Sequence, residues 1–347
     1  GTGTGAMAAP FRTVAGWQRR MGTQQNASAL QFGPGMHVVT ETLRVTTSGT
    51  TTEPFAVRGA GAGVTALSGG LEVTGLSEST HGPSGGRVWR ATLPPSTRYF
   101  RQLFVAPRPA ATTGPFNFSR RLTARSGVMV YDHTDMADAE HSIVFKPGQV
   151  RSTYHNQGDV LATLFHCWTA TTHQVGSITP ANRTLTLLRS PHVDIPRCEH
   201  ASGKRFIIED ALEELTTGEF YYDRVSRELS YLPFDGEAID SVTVWAPQVI
   251  TVLSVDGASD VQVSDLSVMH AAADMRGFFE GDCDGQSATN LRTGAVHVNG
   301  TASGGCSNVT LRRVEVAHTG GTGIVVGGAA VDISLDRLAV HDTGAGG

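Results

Sequence analysis

The sequence predicts an all-β solenoid, a parallel β-helix, and three observations predict it. Short runs alternate apolar and polar residues, as in "MHVVTETLRV", "FAVRGAG" and "LEVTGL". Gly, Ser and Thr break these runs into lengths that suit strands and are too short for helices. Near the end of the chain one ten-residue pattern recurs: Val261 to His270 (VQVSDLSVMH), Val309 to His318 (VTLRRVEVAH) and Ile333 to Asp342 (ISLDRLAVHD). The copies lie 48 and 24 residues apart, so one period of 24 fits both if an irregular coil containing "GAVHVNG" separates the first two. A period in the twenties built from short strands is the mark of a solenoid, whose coils bury apolar positions against one another. Val261, Val309 and Ile333 are then expected in one internal stack, and Val268, Val316 and Val340 in another. The competing reading is a β-sandwich with accidental spacing.

Two segments read as helical. In "FRTVAGWQRRM", Phe11, Val14, Trp17 and Met21 share one face, which suits a short helix capping the first coil. "DALEEL" reads as a second, single turn.

Composition narrows the partners. The 347 residues carry 27 Lys and Arg against 32 Asp and Glu, a formal net charge of −5, with no basic run to neutralise a phosphate backbone. Nucleic acid is excluded as a partner on charge, and no apolar run reaches the ~18 residues of a membrane span. Five of the seven asparagines, Asn26, Asn117, Asn182, Asn299 and Asn308, open an N-x-S/T triplet. These are expected glycosylation sites of a secreted protein. Asn-x-Thr also suits strand-opening turns, which is the blander account. Four cysteines fit an oxidising compartment, with local pairs expected for Cys167 with Cys198 and for Cys283 with Cys306; free buried thiols are the alternative. No cysteine or histidine spacing suits zinc. The start "GTGTGAMAAP" has neither the charged nor the apolar region of a signal peptide and reads as a processed end.

Several stretches resemble a known family. "LSGGLEVTGL" followed by "GGRVWRATLP", then "RQLFV", "HTGGTGI", "HDTGAGG" and above all "GEFYYDRVSRELSYLP" are similar to right-handed parallel β-helix proteins of the pectate-lyase-like kind, which include glycoside hydrolases acting on plant and algal glycans. The likeness spans roughly Thr40 to Gly347. It implies a right-handed solenoid interrupted by an inserted β-rich domain of sandwich or barrel type, closed by the "GEFYYDRVSRELSYLP" segment. The expected division is a cap helix and first coils over 1–97, the insert over 98–235 and further coils over 236–347. The sequence departs from the family after "RQLFV", where "NG" and an arginine-rich turn are replaced by "APRPAATTGPFNFSRRLTAR". The final segment halts after the Asp342 rung with no polar cap, so further coils, or another chain stacking on the open end, are expected.

On such a solenoid, residues one coil apart lie about one strand spacing, ~4.8 Å, from each other. His270, His318 and Asp342 would line one face, with the irregular coil placing His270 two spacings from His318. A polar ladder on a groove suits an extended saccharide. Asp342 is the candidate acid, base or nucleophile, and His318 would bind a sugar hydroxyl or tune that carboxylate. His270, Asp274 and His341 are candidate substrate contacts. Trp168 and His173 of the insert would lean over the same groove, unless Trp168 is simply buried beside a disulfide. The blander account of the ladder is a stack of polar residues capping turns. Residues 273–290 carry Asp274, Glu280, Asp282 and Asp284, and "DCDG" suggests calcium, but no complete loop with its closing Glu follows, so no metal and no cofactor are expected. There is no G-x-S-x-G elbow, H-E-x-x-H helix or phosphate loop. The expected function is glycosidic hydrolysis by a secreted protein. Polysaccharide lyase or epimerase chemistry would need a Lys or Arg base that the ladder lacks. A non-catalytic wall or matrix protein that binds glycans is the rival from another class.

Overall fold

The computed structural model describes residues 14, 16–17, 29–80, 86–108, 116–191, 194–198, 203–273, 293–300 and 305–345. These form an all-β protein. Two parallel sheets share one apolar interior. In the first, Ala29–Gln31, Phe55–Arg58, Val261–Met269, Cys306–Ala317 and Ala330–Asp336 follow one another in order. In the second, Leu43–Val45, Leu253–Asp256, Gly294–Gly300 and Thr322–Gly328 do the same. From Leu253 to Asp336, successive strands alternate between the two sheets.

The periodic apolar positions do what their spacing demands. Val261 pairs with Val309 and Val309 with Ile333, while Val268 pairs with Val316 and Val316 with Val340, so both expected stacks form. Leu43, Leu253, Val296 and Ile324 form a matching stack on the second sheet. All these side chains belong to one core cluster, which Val14 and Trp17 join. Val14, Gly16 and Trp17 are helical; Phe11 and Met21 lie outside the described residues. "DALEEL" supplies a 3-10 turn at Leu212–Glu214. The parallel in-register pairing shows that the spacing of the repeat is not accidental.

One expectation about register was wrong. Val261–Met269 pairs directly with Cys306–Ala317, so the 48-residue offset corresponds to one strand spacing on the first sheet. "GAVHVNG" forms no coil of its own but is the strand Gly294–Gly300 on the second sheet. His270 therefore lies one spacing from His318, not two.

The corners between strands explain much of the polar periodicity. Asp260, Asn308 and Asp332 have positive φ, as do Asp265, Arg313 and Arg337, and likewise His270, His318 and Asp342. Left-handed backbone favours Gly, with Asn, Asp and His enriched among the other residues, so Arg313 and Arg337 are the unexpected members. Cross-coil polar pairs hold these corners: Asn308 Nδ2 donates to Asp260 Oδ1 at 2.6 Å, and Arg313 donates to both carboxylate oxygens of Asp265 at 2.5 and 2.7 Å.

Antiparallel strands occupy the chain between Gly70 and Pro247. Gln102–Pro107 pairs with Ser119–Leu122 and Val242–Pro247. "GEFYYDRVSRELSYLP" is the hairpin Phe220–Asp223 with Glu228–Tyr231, which pairs onward to Val88–Thr92. Its specificity is physical: Asp223 Oδ1 accepts the amides of Val225 and Ser226 and so closes the turn. Trp89, Leu103, Phe220, Tyr222, Leu229, Tyr231 and Val244 fill one cluster between these sheets. A seven-stranded antiparallel sheet spans Met129–Val130 to Arg205–Glu209 with its own core.

Cys306 is a free, buried thiol within the core between the two parallel sheets, so the expected Cys283–Cys306 disulfide is not formed. The strand Cys306–Ala317 turns its first side chain inward, into the apolar interior. Cys283 lies outside the described residues. Cys167 is disulfide-bonded; the side chain of Cys198, its expected partner, lies outside them too. Among the described residues no helix is long and apolar enough to cross a membrane.

Candidate active site

The third corner differs from the other two in what covers it. His318 Nδ1 donates to Asp342 Oδ2 at 2.6 Å across one coil spacing. Arg120, from Ser119–Leu122 of the antiparallel layer, reaches the same carboxylate, with Nη2 at 3.2 Å from Oδ1. That nitrogen also donates to the carbonyls of Thr319 at 3.0 Å and Asp342 at 2.5 Å. Asp342 thus has one oxygen on a histidine and the other on a guanidinium. Its side chain stays 33% exposed while that of His318 is 6% exposed, so the carboxylate is the part of the dyad a ligand can reach.

Aromatic rings wall this corner. Phe118 lies edge-on to His270 and His318, at centroid distances of 4.5 and 5.4 Å. Phe104 tilts against both, and Trp245 stacks on His270 at 5.2 Å. His270 is fully buried, its Nδ1 paired with Ser68 Oγ at 2.8 Å. Burial, and secondarily the neighbouring His318, push its pKa well below the usual imidazole value, so it is a neutral wall residue. The expectation that His270 touches substrate therefore fails on burial.

His341 is exposed and meets His318 edge-on at 5.9 Å. Its Nε2 donates to Glu315 Oε1 at 3.2 Å, and Ser267 Oγ donates to Glu315 Oε2 at 2.5 Å. A second carboxyl is thus linked to Asp342 through two histidines. Sequence reasoning missed both Glu315 and Arg120. Glu315 was legible in principle, since it stands three residues before His318 at a polar position of the repeat. Arg120 lies in the segment where the sequence departs from the family pattern and is brought in only by tertiary folding.

Other expected contacts fall elsewhere. His173 is buried in the seven-stranded antiparallel sheet at 1% exposure, and so offers nothing to a sugar. Trp168 is neither buried nor packed in a core: it is 65% exposed in the turn between Leu161–Phe165 and Ala170–Thr179. Asp274, Glu280, Asp282 and Asp284 lie outside the described residues, as does Asn26. Asn117, Asn182 and Asn308 are exposed, and Asn299 is half-buried. Among the described residues no three His, Cys, Asp or Glu side chains are grouped to hold a metal.

No family model and no curated protein matches the chain. Among solved structures it is similar to one titled "Glycoside hydrolase", with 16% identity over 99% of this chain and 72% of that one, at a TM-score of 0.65. A complex of XylC with xylose matches at 10% identity over 98% and 57% of the two chains, with a TM-score of 0.30. The tailspike Gp54 of Acinetobacter baumannii bacteriophage AP22, in complex with capsular saccharide, matches at 8% identity over 94% and 48%, with a TM-score of 0.18. Only the first is similar enough to bear on architecture, and what it shows is a shared fold.

Proposed function

We propose that this protein is a carbohydrate-active enzyme that hydrolyses glycosidic bonds at the His318–Asp342 corner of a right-handed parallel β-helix. The observation that carries this reading is the half-open Asp342 carboxylate, oriented by a buried histidine on one oxygen and by Arg120 on the other. Exposure does not set this corner apart, since Asp265 at a flanking corner is 27% exposed; the rings of Phe104, Phe118 and Trp245 and the guanidinium of Arg120, all from the antiparallel layer, do. With both oxygens accepting hydrogen bonds, Asp342 is suited to act as nucleophile or general base. Glu315 is the candidate second carboxyl of a glycosidase pair.

The same reading places the protein outside the cell, with sugar on exposed sequons, a Cys167–Cys198 disulfide, and a β-rich domain inserted over 98–235 between coils over 1–97 and 236–347. The alternative, a non-catalytic glycan-binding or matrix protein, draws its support from the two flanking corner pairs, Asn308 with Asp260 and Arg313 with Asp265, where the same kind of polar pair braces a corner. Lyase or epimerase chemistry is disfavoured because Arg120, the cation near the site, already donates to two carbonyls and the carboxylate.

Asp342→Asn separates these readings. A catalytic Asp342 predicts that turnover on a cleaved glycan falls by roughly 10²–10⁴-fold while the melting temperature barely moves. Lost stability with unchanged relative activity would make Asp342 a turn cap. Glu315→Gln is expected to lower turnover too, without weakening the fold.

A further inference from the structure

A cavity of about 890 Å³ opens on the second parallel sheet, away from the Asp342 carboxylate. Parallel pairing sets Arg44, Ser254 and His297 side by side in one row, while their neighbours Leu43, Leu253 and Val296 point into the core. Strand alternation therefore turns that row outward. Asp256 stands two residues beyond Ser254. Arg44 Nη1 and Ser254 Oγ both donate to its Oδ2, at 2.8 and 2.9 Å, which leaves Oδ1 without a hydrogen-bond partner among the described residues. His297 beside it has no hydrogen-bond partner through either ring nitrogen among the described residues, although it is half-buried. Two polar groups on the cavity floor thus keep unused hydrogen-bonding capacity.

The walls are fixed. Arg98 N donates to Gln248 Oε1 at 2.7 Å, and Gln248 Nε2 returns bonds to the carbonyls of Arg98 and Pro247. The amides of Gln248 and Val249 both bond Gly69 O at 2.9 Å. A Cβ at Gly69 would come within 2.7 Å of Val252, so the floor there admits no side chain. A pocket held open this way needs little ordering when it binds.

Its chemistry selects the ligand. Arg44 and Arg98 balance Glu41 and Asp256, so the lining carries no excess charge to hold an ion. Five threonines and two serines line it, with Val38, Leu71, Val249 and Ile250 among its apolar patches and no Phe, Tyr or Trp. Hydroxyls that both donate and accept, interspersed with aliphatic surface, match the hydroxyls and C–H faces of a sugar. The volume lies toward the upper end of the ~300–1,000 Å³ usual for ligand sites, which suits several linked sugars better than one. We propose that this cavity is a binding site for a neutral oligosaccharide, read by Asp256 and His297 and separate from the Asp342 corner.

Titration calorimetry with the whole protein tests this, using short oligosaccharides of xylose, glucose, mannose and galactose, with oligogalacturonate and inorganic phosphate as anionic probes. At least one neutral oligosaccharide should bind. Its affinity should fall tenfold or more in both His297→Ala and Asp256→Asn, with circular dichroism and melting unchanged, and should persist in Asp342→Asn. That last result keeps the test independent of the hydrolase reading, because binding here survives even if Asp342 proves to be a turn cap. The proposal is overturned if no neutral oligosaccharide binds at millimolar concentration, or if binding is indifferent to both cavity substitutions. It is equally overturned if only an anionic probe binds and Arg44→Ala abolishes that binding.

Discussion

Two adjacent glycines in "HTGGTGI" should respond oppositely to the same substitution. A Cβ on Gly320 would sit 2.4 Å from Ala273 N, 2.7 Å from Gln102 Oε1 and 3.0 Å from Ala272 C; on Gly321 it would meet nothing within 4 Å. Ordinary contact begins at 3.4 Å, so Gly320→Ala must push neighbouring coils about 1 Å apart. Gly320 N donates to Ala271 O at 2.7 Å, and a shift of that size carries the bond beyond useful range. Overpacking plus one or two weakened backbone bonds comes to roughly 2–4 kcal/mol. Gly321 is outside the positive-φ region, so Gly321→Ala should be neutral or stabilising by up to about 1 kcal/mol through the unfolded chain. Urea unfolding of the two variants, with m-values compared to confirm a common transition, measures the difference directly. If both fall within about 0.5 kcal/mol of each other, the coil-contact argument is refuted.

Asp265→Asn, at the neighbouring corner, removes a cross-coil carboxylate like Asp342 but should leave turnover unchanged in the same glycan assay that Asp342→Asn abolishes. Burial raises Asp210 to about 7, only partly offset by the hydrogen bond from Tyr99 and by Arg101. The folded state then keeps a proton that the unfolded chain releases above about 4, so stability should decline by on the order of a few kcal/mol as pH rises from about 4 to about 7. Asp210→Asn should flatten that part of the unfolding profile. His270, held neutral by burial, contributes in the other direction: stability should fall as pH drops below about 6.5, where only the unfolded chain takes up the proton. Its imidazole carbon shifts should remain those of the neutral ring through the pH range in which an exposed histidine protonates.

The repeat was legible because it is local. Val261, Val309 and Ile333 advertise their register through apolar spacing alone, and the structure pairs them as the spacing requires. What the spacing could not reveal is how much chain separates two coils in space. A 48-residue offset reads equally well as two regular coils or as one enlarged coil, and only hydrogen-bond pairing decides. The cysteines failed for a related reason: closeness in sequence suggested Cys283–Cys306, whereas Cys306 falls at an inward position of its strand and is buried as a small apolar residue.

The candidate site was half legible, and the missing half has a single physical cause. His318 and Asp342 belong to a ladder, and a ladder can be read from a period. Yet the same period also produces the Asp260/Asn308 and Asp265/Arg313 pairs, so periodicity alone cannot tell a catalytic dyad from a corner brace. What sets the proposed site apart is Phe104, Phe118, Arg120 and Trp245, which arrive from the antiparallel layer roughly 70 to 240 residues away along the chain and leave no trace in the repeat. The cavity on the second sheet was invisible for the same reason. Arg44, Asp256 and His297 stand on three different coils, and Arg98 and Gln248 close it from the other layer. If function lies in what the antiparallel layer adds to an otherwise repetitive scaffold, then substitutions at Arg120 should affect the Asp342 chemistry more than any change at the two flanking corners.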